Sequence, residues 1–350
     1  MYLRILKKDL KRGKTMNTIL LLFVILSTMF AAGSVNNIFA VTNGLDYFYE
    51  KAGMPDFFAV TMDKGGENQI AEILESMDSV ESWGDEPVLF MNSENISYNG
   101  EYVESKNTSL FMPFEEAQIV FFDENDRPIT GVDEGCVWIS GNTIKNNDIK
   151  IGDYVEISIE GFSRSYKVMG RCKDAALGSK MISMGRYIVS RKDYQEFAER
   201  EEIRGTYSGS LLYINTGDTK TLEKTLSEKD DSIIFLGDMD FAKMTYVLDM
   251  VIAGVLLIVS VCLILIALVV LRFTISFTLT QEYREIGVMK AIGIANMKIR
   301  GFYMVKYLAI AALGVSAGLC LSIPFGNMMM KSVSYSMVLG NYGGVGVNII

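Results

Sequence analysis

Three long apolar runs divide the chain, and a block of mixed polar and apolar residues separates the first run from the second. The runs are Asn17–Val41, Met250–Leu271 and Tyr307–Met330, and none of them contains a charged residue. A membrane-spanning helix needs about 20 predominantly apolar residues, and each run is long enough. The pattern therefore predicts three transmembrane helices, over residues 17–41, 246–272 and 303–326.

The first apolar run has two interpretations, because a cluster of basic residues precedes it. A basic start followed by an apolar stretch and small residues, here Ala31–Ser34, is typical of a cleaved signal peptide. The uncharged stretch nevertheless continues as far as Val41, which is long enough to cross a bilayer. The pattern favours an uncleaved anchor.

The third run contains small residues and a proline. Gly314, Ser316, Ala317 and Gly318 are of the size that allows close packing between membrane helices. Pro324 lacks a backbone donor, so we expect it to end or kink this helix.

The block between the first two runs mixes strand and helix patterns. Val155, Ile157 and Ile159 alternate with polar residues, which indicates a half-buried strand. Apolar residues at helical spacing predict a helix over Gly66–Met77, and Ser190 is the expected N-cap of another helix. We predict further strands at Phe57–Met62, Val88–Met91, Val137–Ser140, Ser165–Gly170, Arg186–Ser190, Leu211–Asn215 and Ser232–Leu236, and a helix at Thr221–Lys229.

This order predicts a mixed α/β fold for residues 42–245. One set of strands and helices precedes residue 92, and a second set follows residue 185. A β-rich insert lies between the two sets, and a small barrel or sandwich would suit it. We therefore predict a membrane protein with α-helical transmembrane segments and one mixed α/β domain, built as two α/β lobes with a β-rich insert.

Charge orients the chain in the membrane. Residues 37–245 contain 38 Asp and Glu against 20 Lys and Arg, whereas the rest of the chain contains 4 against 13. Basic residues next to membrane helices mark the cytosolic side. The basic segment 1–16 and the basic loop 273–302 are thus predicted to be cytoplasmic, and the acidic block 42–245 extracytoplasmic.

Composition excludes several classes of function. The chain has no histidine, so it offers no imidazole base, no Ser-His or Cys-His pair and no His-ligated metal. It also lacks a G-x-x-x-x-G-K-[ST] phosphate-binding loop. An acidic domain does not suit nucleic acid. We predict that the chain is not an enzyme, and that it has no catalytic residue, no cofactor site, no metal site and no nucleic-acid partner.

Two features of the acidic block need separate interpretation. Cys136 and Cys172 would be able to form a disulfide outside the cytosol, and the sequence leaves their pairing open. Asp123–Asp126 is acidic, but Arg127 and Pro128 fall where a calcium loop needs a ligand and a glycine. A solvated hairpin tip is the better interpretation of this cluster.

The loop between the second and third runs predicts a short amphipathic helix of about two turns. Gly287 would let another backbone approach closely, and Gly293 is a natural stop. Such a helix suits docking into a partner's groove, but it also suits lying among lipid headgroups, and the residues alone leave both open. The candidate partner-binding residues are Arg284, Glu285, Ile286, Gly287, Met289, Lys290, Ile292 and Gly293.

The same loop resembles the FtsX-like permease family of ABC transporters, also called the MacB or type VII group. Arg284–Gly293 reads REIGVMKAIG and matches the family's charged pair followed by E-I-G, two apolar residues and K-A-I/L-G. The acidic block resembles MacB-type periplasmic core domains in Val137–Ser140, Ile151–Asp153 and Tyr166–Gly170. The first residues resemble large permeases of clostridium-like Gram-positive bacteria.

The resemblance implies a mechanism and a set of partners. A cytosolic ABC ATPase would hold the helix at 284–294 as a coupling helix, and a second permease subunit or half would complete the assembly. ATP-driven closure would then move the outer domain, in export, antimicrobial-peptide resistance or mechanotransmission. The resemblance also implies a multi-pass protein in the lipid bilayer of a bacterial plasma membrane, with an extracellular peptide or lipid as ligand.

A second hypothesis is a membrane-anchored receptor or adhesion domain that has no ATPase partner.

Relatives in the family carry a fourth helix, so we expect a further helix after the outer segment 327–350 in an intact product. The predicted organisation is 1–16 cytoplasmic, 17–41 transmembrane, 42–245 outer domain, 246–272 transmembrane, 273–302 cytoplasmic loop, 303–326 transmembrane and 327–350 outer segment.

Overall fold

The structure, a computed structural model, divides into two compact units. Of the described residues, the helical unit comprises those in 14–40 and 249–331, and the sheet unit comprises those in 41–248 and 332–338. The structure describes residues 14–62, 69–103, 108–141, 143–179, 181–182, 184–229, 232–281, 283–293 and 295–338. The basic start 1–13 and the tail 339–350 lie outside this part.

Three long helices arise from the three apolar runs. They are α1 (Lys14–Ala52), α8 (Val247–Gln281) and α10 (Asn296–Ser334). Each contains a segment long and apolar enough to cross a membrane, which confirms the prediction of three spanning helices. The short helix α9 (Tyr283–Ala291) stands between α8 and α10.

These helices run further than the apolar pattern indicates. The helix α1 continues eleven residues past Val41, because Leu45, Phe48 and Ala52 are buried inside the sheet unit. Pro324 lies within α10 and does not end it, so that part of our expectation is wrong. A membrane helix tolerates proline where neighbouring groups satisfy the freed backbone.

The sheet unit contains one eleven-stranded mixed sheet. Small helices accompany it: α2 (Gln69–Glu75), α3 (Thr143–Asn146), α4 (Arg191–Ala198), α5 (Glu201–Tyr207), α6 (Thr219–Lys229) and α7 (Met239–Met244). Its strands are β1 (Phe57–Met62), β2 (Val80–Met91), β3 (Ile96–Tyr98), β4 (Glu101–Tyr102), β5 (Thr108–Pro113), β6 (Cys136–Ser140), β7 (Tyr154–Ile159), β8 (Phe162–Cys172), β9 (Met184–Val189), β10 (Ser208–Thr216) and β11 (Ile233–Asp238).

The strands lie in the order β11-β1-β10-β2-β5-β9-β6-β8-β7-β3-β4. Most neighbours are antiparallel, but β5 pairs with β9 and β6 pairs with β8 in parallel. The mixed α/β prediction is confirmed, and the β-rich insert proves to be part of the common sheet. The reason is that β9, from the second set of elements, pairs on both edges, with β5 on one side and β6 on the other.

Two apolar cores lie against this sheet. One core contains Phe57, Leu74 and Leu226, between strands β1 and β10 and helices α2 and α6. The other contains Phe111, Val168 and Phe197, with residues from β2, β5 to β9 and helices α4 and α5. Each core combines elements from before residue 92 with elements from after residue 185, so the unit has two cores on one sheet, and they do not divide along the chain as the two predicted lobes do.

Both cysteines of the acidic block are free thiols. Cys136 pairs in register with Lys167, and Cys172 pairs with Ser140, so the two lie at opposite ends of the β6–β8 ladder. A disulfide requires Cα atoms within about 7 Å of each other, which this register does not allow.

Candidate functional site

The short helix α9 lies between the two long apolar helices α8 and α10 in the chain, and the turn at Gly293 ends it. Gly293 has φ of +89°, in the left-handed region that favours glycine, and its N–H donates to the carbonyl of Lys290 at 3.0 Å. The helix therefore has little more than two turns, as the loop pattern predicts. Glu282 and Ile294 lie outside the described residues, and so does the side chain of Glu285.

The side chains of α9 differ in exposure. Ile286 and Met289, two of the candidate partner-binding residues, are half-buried. Tyr283 is 79% exposed, Val288 is 59% exposed and Ile292 is 74% exposed. Val288 and Ile292, four residues apart, share one side of α9 and of the turn that ends it, and we name this pair the exposed apolar face; Tyr283, at the start of the helix, lies about half a turn away from them.

Tyr283 and Val288 are the residues that sequence reasoning missed. The candidate set contained Ile286, Met289 and Ile292 as its apolar side chains, and their spacing gave no signal as to which residues stay exposed. Beside Tyr283, a shallow groove of about 520 Å³ is lined by Ser276, Leu279 and Thr280 at the end of α8. The groove adds concave surface beside the start of α9.

Gly287 is on the open side of α9. A methyl group built on it would meet nothing within 4 Å apart from the helix itself. The position is thus available to another backbone, as the sequence suggested. Arg284 and Lys290 are exposed as well, and Arg284 lies next to the exposed apolar face, four residues before Val288.

Helices α1 and α10 approach closely through glycine. A methyl group on Gly318 would lie 2.8 Å from the carbonyl oxygen of Ile25, and one on Gly314 would lie 2.7 Å from Val24. Gly33 packs in the same way under the ring of Phe325. Small residues four apart allow such contact between membrane helices. The prediction of close packing at Gly314 and Gly318 is confirmed.

The sheet unit contains a buried ionic network. Arg186 is fully buried, and its Nη1 lies 2.5 Å from Glu86 Oε2 while its Nε lies 2.8 Å from Asp174 Oδ2. Its Nη2 donates to the Tyr213 hydroxyl at 2.6 Å. Burial raises the pKa of the Glu86 carboxyl, and the guanidinium of Arg186 opposes that shift.

Two loops of the sheet unit contact the ends of long helices, and we name them the anchor loops: Ile119–Pro128 and Arg171–Ser179. The backbone N–H of Val120 donates to the carbonyl of Ala52, the last residue of α1, at 2.8 Å. The residue after α10, Tyr335, lies under the guanidinium of Arg171, whose Cζ is 3.7 Å from the ring centroid. The anchor loops are joined to each other, since Lys173 N donates to Phe122 O at 2.7 Å.

The acidic tip belongs to these anchor loops. Asp123 accepts hydrogen bonds from the N–H groups of Asn125 and Arg127, and Asp126 pairs with the buried Lys173. Within the described residues, no group of three or more acidic or cysteine side chains is arranged to hold a metal. The hairpin-tip interpretation is supported, and the tip contributes a partner for a buried lysine.

Comparison with known proteins identifies the region around α9. Residues 257–347 match the family model described as FtsX-like permease C-terminal. No curated protein matches the chain. Among solved structures, the chain is similar to a Bacillus anthracis protein designated a lipoprotein, with 11% identity and a TM-score of 0.32, over 52% of this chain and 95% of the other. That TM-score does not establish a shared fold.

Proposed function

We propose that this chain is an FtsX-like permease of the MacB type and that it couples ATP hydrolysis by a separate cytosolic ATPase to movement of its sheet unit. FtsX-like permeases are generally non-catalytic subunits that work with ABC ATPases, and residues 257–347 match their C-terminal domain. The observation that carries the proposal is the exposed apolar face on α9, within the matched region.

The chemistry of this face favours a protein groove as its binding site. Val288 lies in the nine-residue helix and Ile292 directly follows its last residue, and the exposed Arg284, four residues before Val288, flanks them. Apolar anchors with a charged rim are the usual composition of a helix docked into a groove. Gly293 fixes the length of the helix, so its exposed side chains are presented in one arrangement.

The orientation in the membrane follows from charge. We propose that the loop carrying α9 and the start of the chain are cytoplasmic, and that residues 42–245 are extracytoplasmic, in a bacterial plasma membrane. The acidic composition of the sheet unit and the basic residues near α9 support this arrangement. The proposed functions of the movement are export, peptide resistance or control of an extracytoplasmic process, with a second permease subunit or half in the assembly.

Orientation is tested with one introduced thiol. In a chain whose four native cysteines are replaced by serine, Lys290→Cys should react with a membrane-impermeant maleimide only after the cells are opened. A matched Lys192→Cys change, on an exposed residue of the sheet unit, should react in intact cells. Labelling of position 290 from outside would invert the proposed topology.

The ATPase partnership is tested by co-purification from the native membrane. Val288→Asp places a charge on the exposed apolar face without altering a buried contact, and it should reduce recovery of a nucleotide-binding subunit by about tenfold or more. Tyr154→Asp changes a comparably exposed residue of the sheet unit and should leave recovery unchanged. Equal recovery with both variants, or no nucleotide-binding subunit with the unchanged chain, would favour the receptor hypothesis.

A further inference from the structure

The end of α10 is held inside the sheet unit. The helix ends at Ser334, and residues on both sides of this end are buried: Val333 is 1% exposed, Met337 is 0% exposed and Val338 is 3% exposed. Ser336 and Met337 each donate a backbone hydrogen bond to the carbonyl of Val333, which closes the last turn. We name residues 332–338 the strap.

Two buried cationic side chains donate hydrogen bonds to carbonyl groups of the strap. Arg171 Nη1 donates to the carbonyl of Tyr335, and Lys173 Nζ donates to the carbonyl of Met337 at 3.2 Å. The guanidinium of Arg171 also covers the ring of Tyr335, and Lys145 Nζ lies 5.6 Å from the same ring. Carbonyl groups at a helix C-terminus lack helical partners and carry the negative end of the helix dipole, so cations stabilise that end.

The positions of these cations follow from strand geometry. Arg171 and Lys173 are two residues apart at the end of β8, so both point to one face, towards the strap. Asp174 points the other way and pairs with Arg186 in the buried network. Burial lowers the pKa values of Arg171 and Lys173. A buried cation is costly, and here the strap carbonyls, an aromatic ring and Asp126 compensate for the lost water.

The same loops hold the end of α1. Val120 donates to the carbonyl of Ala52, and Phe48 of α1 packs against Phe122, with ring centroids 6.0 Å apart. Phe122 and Lys173 form an antiparallel bridge. Phe122 contacts the end of α1 and Lys173 contacts the strap that follows α10, so the bridge between these two residues connects the two helix ends. Lys173 directly precedes Asp174 of the buried ionic network.

We propose that Arg171 and Lys173 form a helix-end clamp, which fixes α10 to the sheet unit and makes this helix a route for motion between the α9 loop and the sheet. The chain connects α9 to α10 through four residues, Ile292–Ala295, so displacement of α9 acts directly on α10. The clamp holds the strap, which continues directly from α10, to the rest of the sheet unit by non-covalent contacts. The coupling role rests on the proposed function, whereas the clamp does not.

The clamp is tested by hydrogen exchange of the full chain in lipid nanodiscs. Arg171→Met and Tyr335→Leu should each accelerate amide exchange in the strap by about tenfold or more, with exchange in β10 unchanged as evidence of a folded sheet. Arg200→Met is the matched control, because this guanidinium also covers an aromatic ring, that of Phe162, at 3.6 Å. Strap exchange as slow in both clamp variants as in the unchanged chain would overturn the clamp.

A double-mutant cycle distinguishes one clamp from two unrelated contacts. If Arg171 and Tyr335 act together, the exchange rate of the double variant should be close to that of either single variant, since the second change removes nothing more. A double variant whose strap exchange is accelerated by the product of the two single accelerations would contradict a shared interaction.

The coupling role is tested with the ATPase present. Trapping the ATPase with ADP and vanadate should alter exchange in the anchor loops of the unchanged chain, and Tyr335→Leu should abolish this response while the ATPase stays bound. An equal response in the Tyr335 variant would overturn coupling through the clamp. Absence of any ATPase binding would instead refute the proposed function and the coupling role with it, while the exchange measurement without ATPase still decides whether the clamp exists.

Discussion

The two units of this chain are packed through different kinds of contact: ion pairs and hydrogen bonds in the sheet unit, and apolar contacts at glycine residues in the helical unit. In the sheet unit, Arg186 is buried between two carboxylates and a tyrosine hydroxyl, and every partner is held by further hydrogen bonds. In the helical unit, α1 and α10 meet through glycine, and an apolar cavity of about 490 Å³ remains among the three long helices. Directional contacts fix one arrangement of the sheet, whereas apolar contacts allow adjustment among the helices.

This difference indicates which of the two units is rigid and which can adjust its packing. A buried, fully partnered ionic network tolerates little displacement, because any separation leaves a charge without a partner. Helices packed through small apolar residues lose only dispersion energy when they slide. The packing of the sheet unit therefore resists rearrangement more strongly than the packing of the helical unit does.

The largest expected effect is on the ionic network. Arg186→Met would leave Glu86 and Asp174 buried without a cation, and we expect it to lower the free energy of unfolding by about 3–5 kcal/mol. Chemical denaturation of the full chain in detergent, followed by tyrosine and tryptophan fluorescence, measures this. Arg164→Met is the control: its pair with Glu196 is half-exposed, so the cost should be within about 1 kcal/mol. Similar costs for both changes would mean that the sheet unit does not depend on its buried ion pairs.

A smaller effect is expected for helix packing. Gly318→Ala should destabilise the association of α1 and α10 by about 1–3 kcal/mol, because the new methyl group meets the backbone of Ile25. The midpoint of unfolding in mixed micelles reports this change. Gly301→Ala, where the methyl group meets nothing, should be neutral or stabilising by about 0.5–1 kcal/mol. Equal midpoints for the two variants would show that α10 does not depend on close approach at Gly318.

The smallest effect concerns the end of α9. Gly293→Ala forces an alanine to φ of +89° and should cost about 1–2 kcal/mol locally, measured as faster amide exchange in α9. Gly287→Ala should slow that exchange, because it raises helix propensity without a clash inside the chain. Faster exchange in Gly287→Ala would indicate that α9 has a close neighbour at that residue.

The sequence predicts the three long helices and most strands because their patterns are local. Strand β1 has the predicted bounds, Phe57–Met62, and Ser190 accepts the predicted capping hydrogen bond from Asp193. The buried role of Arg186 gives no local signal, since its partners lie 12, 27 and 100 residues away. The exposure of individual α9 residues was equally unpredictable, because the folded structure around the helix decides it and the local pattern does not.

The central claim, that the exposed apolar face of α9 is bound by a nucleotide-binding protein, is tested most directly by photo-crosslinking in living cells. A photoreactive amino acid at Val288 should give a covalent adduct with a P-loop ATPase, and the same amino acid at Tyr154 should give none. Adducts of position 288 with lipid alone would contradict the account and indicate a helix that rests on the membrane surface.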